Sequence, residues 1–442
     1  MKTLSKLVIF SVLFMLSFSA MAQNDDWRNF SVSASLRTRG ELRAGGMVTD
    51  EGKANPNDIA AFVTHRMRLP ISYSHGIFTM QITPQHSGIW GDASRGNFNL
   101  YEAWSQLKSD KGLFLKIGRQ ALAYDDERII GSDDWTMTAA THDVLQLGLD
   151  NSINKLHLTL AFNQNGEKLS GGTVYKDGCQ PYKTMQVLWY HHDFSRQNLG
   201  LSLLAMNVGM QSNDTVDLHS EYQQLVGGYL SFSPRKTQIE ASGYYQMGKN
   251  EYGIPISAWM ASFKINQKLS QQWQITAGYD YLSGDPYYNV PPENMIGLPQ
   301  HKVMNGFNTV YGSHHKFYGA MDFFYVSTYY GSFTPGLQNL YAGVHFNPEN
   351  LKTFNWDFNY HLFAVATDLG SAGKPMDKIL GHEIETVTSW QALPYFNFSA
   401  GASFMFGTET LEHLKRTSSN HGLAWVWLSL NFTPTLFSKS WQ

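Results

Sequence analysis

Arginine residues recur at alternate positions near the start of the chain, and their chemistry is the recognition of anions. Arg37, Arg39 and Arg43 lie close together, and Arg66 and Arg68 follow with the same spacing of two residues. A guanidinium group donates two parallel hydrogen bonds to a carboxylate and stays charged at any physiological pH. The spacing therefore predicts a surface that attracts carboxylates or other anions, provided that a regular element brings these side chains together.

A β-strand is the element that would do so. From Phe30 to Arg43 the odd positions are polar, and the even positions are apolar or small. Successive side chains of a strand point to opposite faces, so the three arginines share one face with Glu41. Arg66 and Arg68 share a face of the next predicted strand, and antiparallel pairing would set the two clusters side by side.

The same alternation continues along the chain and predicts the fold class. Aromatic and aliphatic residues occupy every second position in segments 273–281, 354–362, 396–406 and 424–432. Segments of about ten residues with this pattern suit tilted strands that cross a membrane. Charged residues are only 16% and aromatic residues 14% of the chain. We therefore predict an all-β transmembrane antiparallel β-barrel, in which short turns and long loops alternate and connect about 16 to 20 strands.

The sequence also predicts the boundaries of the barrel domain. Lys2 and Lys6 precede an apolar run, and Ala20-Met21-Ala22 forms a cleavage site, so residues 1–22 are predicted to be a secretory signal peptide. No linker or low-complexity stretch divides the remainder, so residues 23–442 are expected to form one barrel in a Gram-negative outer membrane. An arginine that faces hydrocarbon costs about 2–4 kcal/mol, so we expect the arginines to face the lumen.

Three segments resemble the alginate-export outer-membrane family. The first contains Lys116-Ile117-Gly118-Arg119-Gln120, Tyr124-Asp125-Asp126-Glu127-Arg128, Asp134-Trp135 and His142-Asp143; the others are Ser283-Gly284-Asp285 with Gly306-Phe307-Asn308 and His315–Asp322, and Leu380–Glu385. The resemblance implies an 18-stranded monomeric barrel with a positively lined pore that passes anionic polysaccharide or smaller anions. It also adds Arg119 and Arg128 to the candidate pore lining.

Arg119 breaks the simple pattern, because strict alternation would place it with Leu115 and Ile117. We expect a bulge at Gly118 to turn Arg119 towards the lumen. Alternation also predicts acids in the lumen, and the candidate set is Glu41, Asp143, Glu383 and Glu385. Two interpretations therefore remain open: the arginines select anions, or they pair with carboxylates and only stiffen the barrel.

Other groups of polar and aromatic residues give weaker evidence for a functional site. We predict no catalytic residues, no cofactor and no metal site, and we interpret Asp133-Asp134 and Asp125-Asp126-Glu127 as solvated loop acids rather than calcium ligands. Trp425 and Trp427 fall on the polar face of their strand, where they would stack on sugar rings or belong to the aromatic girdle. The last strand is expected to stop near Thr433, with a short tail after it.

The expected function is a passive outer-membrane channel with an arginine-lined lumen. Its partners would be anionic small molecules or acidic polysaccharide together with outer-membrane lipid, and not nucleic acid. The alternatives are a general non-selective porin and a structural or adhesive barrel whose lumen is plugged by the loops at 44–60 and 164–182. An enzyme acting on lipid would need a Ser, a His and an acid at one rim of the barrel, and the sequence shows no such set.

Overall fold

The computed structural model describes residues 27–44, 59–175, 178, 180–212, 219–285, 303–324, 334–371, 374–415 and 423–442. The predicted signal peptide and residues 45–58 of one predicted plug lie outside these ranges.

Nearly all regular structure is antiparallel β-sheet. The strands are β1 (Arg28–Ser33 and Ser35–Ala44), β2 (Ala60–Arg68 and Ile71–His75), β3 (Phe78–Ile89), β4 (Asp92–Lys108), β5 (Leu113–Gln120), β6 (His142–Asp150), β7 (Asn154–Phe162), β8 (Thr184–Phe194), β9 (Leu199–Gln211), β10 (Ser220–Phe232), β11 (Thr237–Lys249), β12 (Pro255–Lys268), β13 (Trp273–Leu282), β14 (Leu337–Phe346), β15 (Phe354–Ala364), β16 (Ile379–Leu393), β17 (Phe396–Gly407) and β18 (Leu423–Phe432 and Thr435–Trp441).

Smaller elements lie between the strands. Two short antiparallel strands of two residues each, Gly370–Ser371 and Lys374–Pro375, follow β15. The α-helix α1 (Glu409–Lys415) follows β17. Single 3-10 turns lie at Ser195–Gln197, His314–Lys316 and Glu349–Leu351. Among the described residues, no helix is long and apolar enough to cross a membrane.

The sheet closes on itself, because β18 pairs with β1 over both halves of each strand. Every strand pairs with its neighbours in the sequence, so β1 to β18 form a closed antiparallel barrel. The prediction of a transmembrane barrel with about 18 strands is confirmed. Closure leaves no unpaired sheet edge, which is the condition for strands to cross hydrocarbon.

Three prolines lie at the same level of neighbouring strands, next to a break in β1. Pro434 in β18, Pro70 in β2 and Pro84 in β3 lie on either side of Ala34, where β1 is broken. A proline donates no hydrogen bond, but its carbonyl still accepts one. The Ala34 N–H donates to the carbonyl of Pro434 at 2.9 Å, and the Leu69 N–H donates to that of Pro84 at 3.1 Å. We call this row of interruptions the proline row.

The expected end of the last strand was wrong. Beyond Pro434 the chain resumes its strand and pairs with the start of β1, where Trp441 lies opposite Arg28. The interruption covers only Thr433 and Pro434, because pairing with β1 resumes at Thr435. The predicted tail is therefore the half of β18 that completes the closure.

The outward face follows the predicted alternation. Leu36 and Leu42 on β1, Trp273 and Ile275 on β13, and Leu428 on β18 are all exposed, whereas the residues between them are turned inward. Because barrel strands alternate between lipid and lumen, this exposed apolar surface is the membrane-facing side.

Two long connections fold into the lumen. We call residues 121–141, between β5 and β6, the first lumen segment, and residues 303–324, between β13 and β14, the second lumen segment. The Gly131 N–H donates to the Tyr311 carbonyl at 2.8 Å, and the Tyr311 N–H donates to the Ile129 carbonyl at 3.1 Å. By contrast, residues 164–173 of the predicted plug at 164–182 are exposed.

The lumen is less polar than the alternation suggested. Inward positions on β8 to β12 carry buried apolar side chains, among them Met185, Val187, Met206, Leu225 and Met260. They pack in one cluster with apolar residues of both lumen segments. This contact removes apolar surface from water, so it helps to hold the two segments against β8 to β12.

The two faces of a single strand give a test of the fold. Ala277, in the middle of β13, points outward and is exposed, whereas Thr276 points into the lumen and contacts Asn266. We expect Ala277→Arg to lower the free energy of unfolding by about 2–4 kcal/mol, because the guanidinium would face lipid. Thr276→Arg should lower it by less than about 1 kcal/mol. Urea unfolding in lipid vesicles, followed by tryptophan fluorescence, measures both, and equal effects would contradict the assigned faces.

Candidate functional site

The arginines of β1 and β2 lie side by side on the inner face of the barrel. Arg37 is directly opposite Arg66 in the ladder, and Arg39 is opposite Thr64. We call Arg37, Arg39, Arg43, Arg66 and Arg68 the arginine wall. Like charges on adjacent strands repel one another, so the wall needs anionic partners to be stable.

One such partner is a carboxylate of the first lumen segment. Asp134 Oδ1 accepts hydrogen bonds from Arg68 at 2.7 Å and from Arg66 at 3.0 Å, and Oδ2 accepts one from Arg37 at 2.9 Å. Burial alone would raise the pKa of Asp134, but the charges of Arg66 and Arg37 outweigh it and lower the pKa to about 2. Asp134 is therefore an anion at neutral pH, bound by three guanidinium groups.

The first lumen segment also covers the wall with main-chain carbonyls. The Trp135 carbonyl accepts a hydrogen bond from Arg39 at 3.1 Å, and the Thr136 carbonyl accepts one from Arg66 at 3.2 Å. As a result only 2% of Arg66 is exposed. Arg43 differs, because 41% of its side chain remains open to the lumen.

Glu41 is the second partner of the wall. Its Oε1 accepts a hydrogen bond from Arg39 at 2.8 Å, and its Oε2 accepts one from Arg43 at 2.9 Å. The indole N–H of Trp425 donates to the same Oε2 at 3.0 Å. The wall therefore holds five positive and two negative charges, which leaves a net charge of three positive units.

Aromatic rings surround Trp135, next to the wall. The His315 ring stacks on Trp135 with centroids 4.0 Å apart, and the Arg39 guanidinium lies 4.3 Å from the centre of the indole. Trp425 and Trp427 present their inward rings to the same indole, edge to face. These two tryptophans belong to the lumen rather than to a girdle, and in this structure their partners are protein groups.

Arg128 joins the first lumen segment to the opposite side of the barrel. It forms ion pairs with Asp280 of β13 at 3.1 Å and with Asp126 at 3.2 Å, and it donates to the Tyr318 hydroxyl at 3.1 Å. Burial opposes its charge, but the carboxylate of Asp280 outweighs burial and raises the pKa of Arg128. Arg128 is thus a buried structural cation that holds both segments in place.

Of the two predicted lumen acids on β16, one binds the second lumen segment and the other binds the neighbouring strand β15. Glu383 is fully buried and accepts a hydrogen bond from the Met321 N–H at 3.0 Å. Glu385 accepts one from the Asn359 side chain at 2.6 Å. Both point inward as alternation predicts, and both are engaged with protein groups.

Arg119 and Asp143 require a correction. The pairing of β5 with β4 and with β6 runs without a shift through Gly118, so the expected bulge is not there. Since Gln120 and Val144 are buried towards the lumen, the residues next to them face outward. Arg119 binds Asp143 through two hydrogen bonds of 2.8 and 2.7 Å. The pair neutralises itself on the outer surface and does not line the lumen.

The loop acids also need correction, because Asp134 is not a free loop acid: its carboxylate is bound by three guanidinium groups of the arginine wall. Asp125 is half-buried and accepts a hydrogen bond from Trp189 at 3.2 Å. Asp133 lies beside Asp322; burial and that charge raise the pKa of Asp133 to about 6. The two adjacent acids before Trp135 were visible in the sequence. Their neighbours in the sequence do not indicate that Asp134 binds an arginine on a strand almost 70 residues earlier.

A cavity of about 1010 Å³ opens between β11–β16 and the two lumen segments, at the end of the barrel where the short turns at residues 236, 270–272 and 347 lie, which we call the short-turn end. Five basic side chains (Lys236, Lys264, Lys268, Lys316 and Arg128) and five acidic side chains (Asp126, Glu240, Asp280, Asp357 and Glu385) line it. This side of the lumen is electrically balanced. The excess of positive charge lies on the arginine wall.

We compared the chain with known protein families and sequences. No protein-family model matches this chain, and no curated protein sequence matches it either. The alginate-export resemblance therefore has no support from these searches.

Solved structures of outer-membrane porins do resemble the barrel. Pseudomonas aeruginosa OccK2 (OpdF) superposes with a TM-score of 0.61 at 14% identity, covering 92% of this chain and 98% of that one. A second structure of OccK2 is a complex with glucuronate. A BenF-like porin from Pseudomonas fluorescens Pf-5 gives a TM-score of 0.61 at 12% identity, covering 92% and 99%. The chain thus shares the whole barrel fold of these porins.

The buried ion pair across the lumen gives a second test. Asp280→Asn leaves the enclosed Arg128 guanidinium with Asp126 as its remaining carboxylate partner, so we expect about 3 kcal/mol lower stability, at the low end for a broken buried pair. Asp357→Asn is the matched control, because Asp357 lines the same cavity but pairs with His345 in a half-exposed position. It should cost less than about 1 kcal/mol. Urea unfolding in vesicles measures both, and a small effect of Asp280→Asn would refute the anchoring role of Arg128.

Proposed function

We propose that this protein is a passive outer-membrane channel for small solutes that carry a carboxylate group. The observation that supports the proposal most directly is the binding of the Asp134 carboxylate by Arg37, Arg66 and Arg68 inside the lumen. A site that holds one carboxylate with three guanidinium groups has the donor geometry to hold another.

The distribution of charge supports anion selectivity. The arginine wall keeps a net positive charge, whereas the acids and bases of the cavity are balanced. A lumen with positive charge on one wall concentrates anions and repels cations. The half-exposed Arg43 is the member of the wall best placed to meet a solute.

The fold adds an argument by analogy. The neighbours in structure space are porins, and one of them was crystallised with glucuronate, a sugar acid. At 14% identity this likeness concerns the barrel and not the site, so the choice of solute rests on the arginine wall.

The size of the solute follows from the two lumen segments. They lie in the interior and contact the arginine wall on one side and the apolar positions of β8 to β12 on the other, and we infer that this favours a monomeric uronate or another small carboxylate over a bulky solute. An acidic polysaccharide, which the alginate-export resemblance implied, would have to pass the same guanidinium groups as a single extended chain.

Removal of one lumen charge tests the proposal against a general porin. Arg43→Gln should lower the anion-to-cation permeability ratio roughly threefold. A unit charge about 7 Å from a passing ion is worth about 0.6 kcal/mol in water, with opposite signs for an anion and a cation, and screening by about 0.1 M salt halves both energies. Arg119→Gln removes the same charge from the outer surface and should leave the ratio unchanged. Reversal potentials in planar bilayers under a potassium chloride gradient measure both.

Two outcomes would refute the proposal. A wild-type channel with no preference for anions would reduce the arginine wall to structural pairing. Equal shifts for Arg43→Gln and Arg119→Gln would show that the selectivity arises outside the lumen.

A further inference from the structure

The three guanidinium groups around Asp134 form a site that is already filled by the protein itself. Asp134 receives hydrogen bonds from Arg37, Arg66 and Arg68, all from side chains that are fixed on neighbouring strands. Its own side chain nevertheless remains 42% exposed, so water reaches it from the lumen. The anion in the site is buried on the arginine side and open on the other.

The chain around Asp134 has further anchors that do not depend on its carboxylate. The Thr138 carbonyl accepts a hydrogen bond from Gln85 at 3.0 Å, and the Trp135 ring is stacked on His315. The Asp133 N–H donates to the hydroxyl of Ser313 at 2.8 Å. The carboxylate of Asp134 can therefore leave the guanidinium groups while the segment stays attached on both sides of it.

The backbone on either side supports such a movement. Asp133 has a φ of 44° and Ala139 a φ of 57°, so positive φ values flank the stretch that carries Asp134. Residues with a Cβ adopt this conformation at a cost of the order of 1 kcal/mol or more. Contacts with the arginine wall hold this stretch in place, and the strain favours its release.

We propose that Asp134 is a tethered competitor at a carboxylate-binding site, and that each transported carboxylate passes by displacing it from Arg37, Arg66 and Arg68. The inference rests on the proposed function and adds the element that sets affinity. Three unoccupied guanidinium groups would trap a carboxylate, whereas a channel needs binding that is weak enough to let the solute leave. A tethered carboxylate at a local concentration in the millimolar range weakens solute binding by competition.

The test compares two neighbouring acids. Asp134→Asn should lower the concentration of glucuronate that half-blocks the chloride current at least tenfold and lengthen each blocking event, because the competitor has lost its charge. Asp133→Asn removes the same charge one residue earlier, without touching the arginine wall, and should stay within twofold of wild type. Asp134→Glu keeps the carboxylate and should behave like wild type. Glucose serves as the uncharged control solute. Single-channel recording in planar bilayers at pH 7.5 provides the measurements.

A second measurement needs no variant and covers the case in which Asp134→Asn does not fold. In the wild-type protein, glucuronate should speed the hydrogen–deuterium exchange of residues 133–138, and glucose should not. An anion-selective wild type in which Asp134→Asn behaves like Asp133→Asn, or in which glucuronate leaves the exchange unchanged, would overturn the competitor while leaving the channel function intact. A wild type without anion preference would instead overturn the proposed function.

Discussion

The structure depends on the partial neutralisation of five guanidinium groups on one wall of a barrel. No element of the wall itself supplies enough negative charge, since Glu41 pairs with only Arg39 and Arg43. The remaining arginines share Asp134, which belongs to a connection that must enter the lumen to reach them. The position of the first lumen segment is therefore a consequence of electrostatics, and its apolar residues then pack where the barrel offers an apolar wall.

The second lumen segment follows from the first. It joins the first through main-chain hydrogen bonds at Tyr311 and through Arg128, which reaches Asp280 across the lumen. Glu383 accepts from Met321 and holds the other end of the second segment. The cavity at the short-turn end is the space that this arrangement leaves open, and its balanced charge confines the excess of positive potential to the opposite wall.

Much of the barrel could be predicted from the sequence, because the period of two in side-chain polarity is a local property. It placed the arginines of β1 and β2 on one inner face, and it turned Leu36 and Leu428 to lipid. Contacts between distant residues were beyond its reach. Asp134 looked like a loop acid, since its partners lie on other strands, and Arg119 was assigned to the lumen on the assumption of a bulge that the ladder does not contain. The inward apolar residues of β8 to β12 were equally hidden, because nothing in the alternation says what fills the interior.

The proline row divides the contact between the first and last strands into two separate ladders. One ladder joins Leu36–Ala44 to Ala424–Phe432, and the other joins Arg28–Ser33 to Thr435–Trp441. Pro434 donates no hydrogen bond, so at this level the two ladders are joined through the bond from the Ala34 N–H to the Pro434 carbonyl. The rim formed by residues 28–33 and 435–441 is thereby only weakly coupled to the level of the barrel that carries the arginine wall, so the two ladders can form one after the other when the barrel closes.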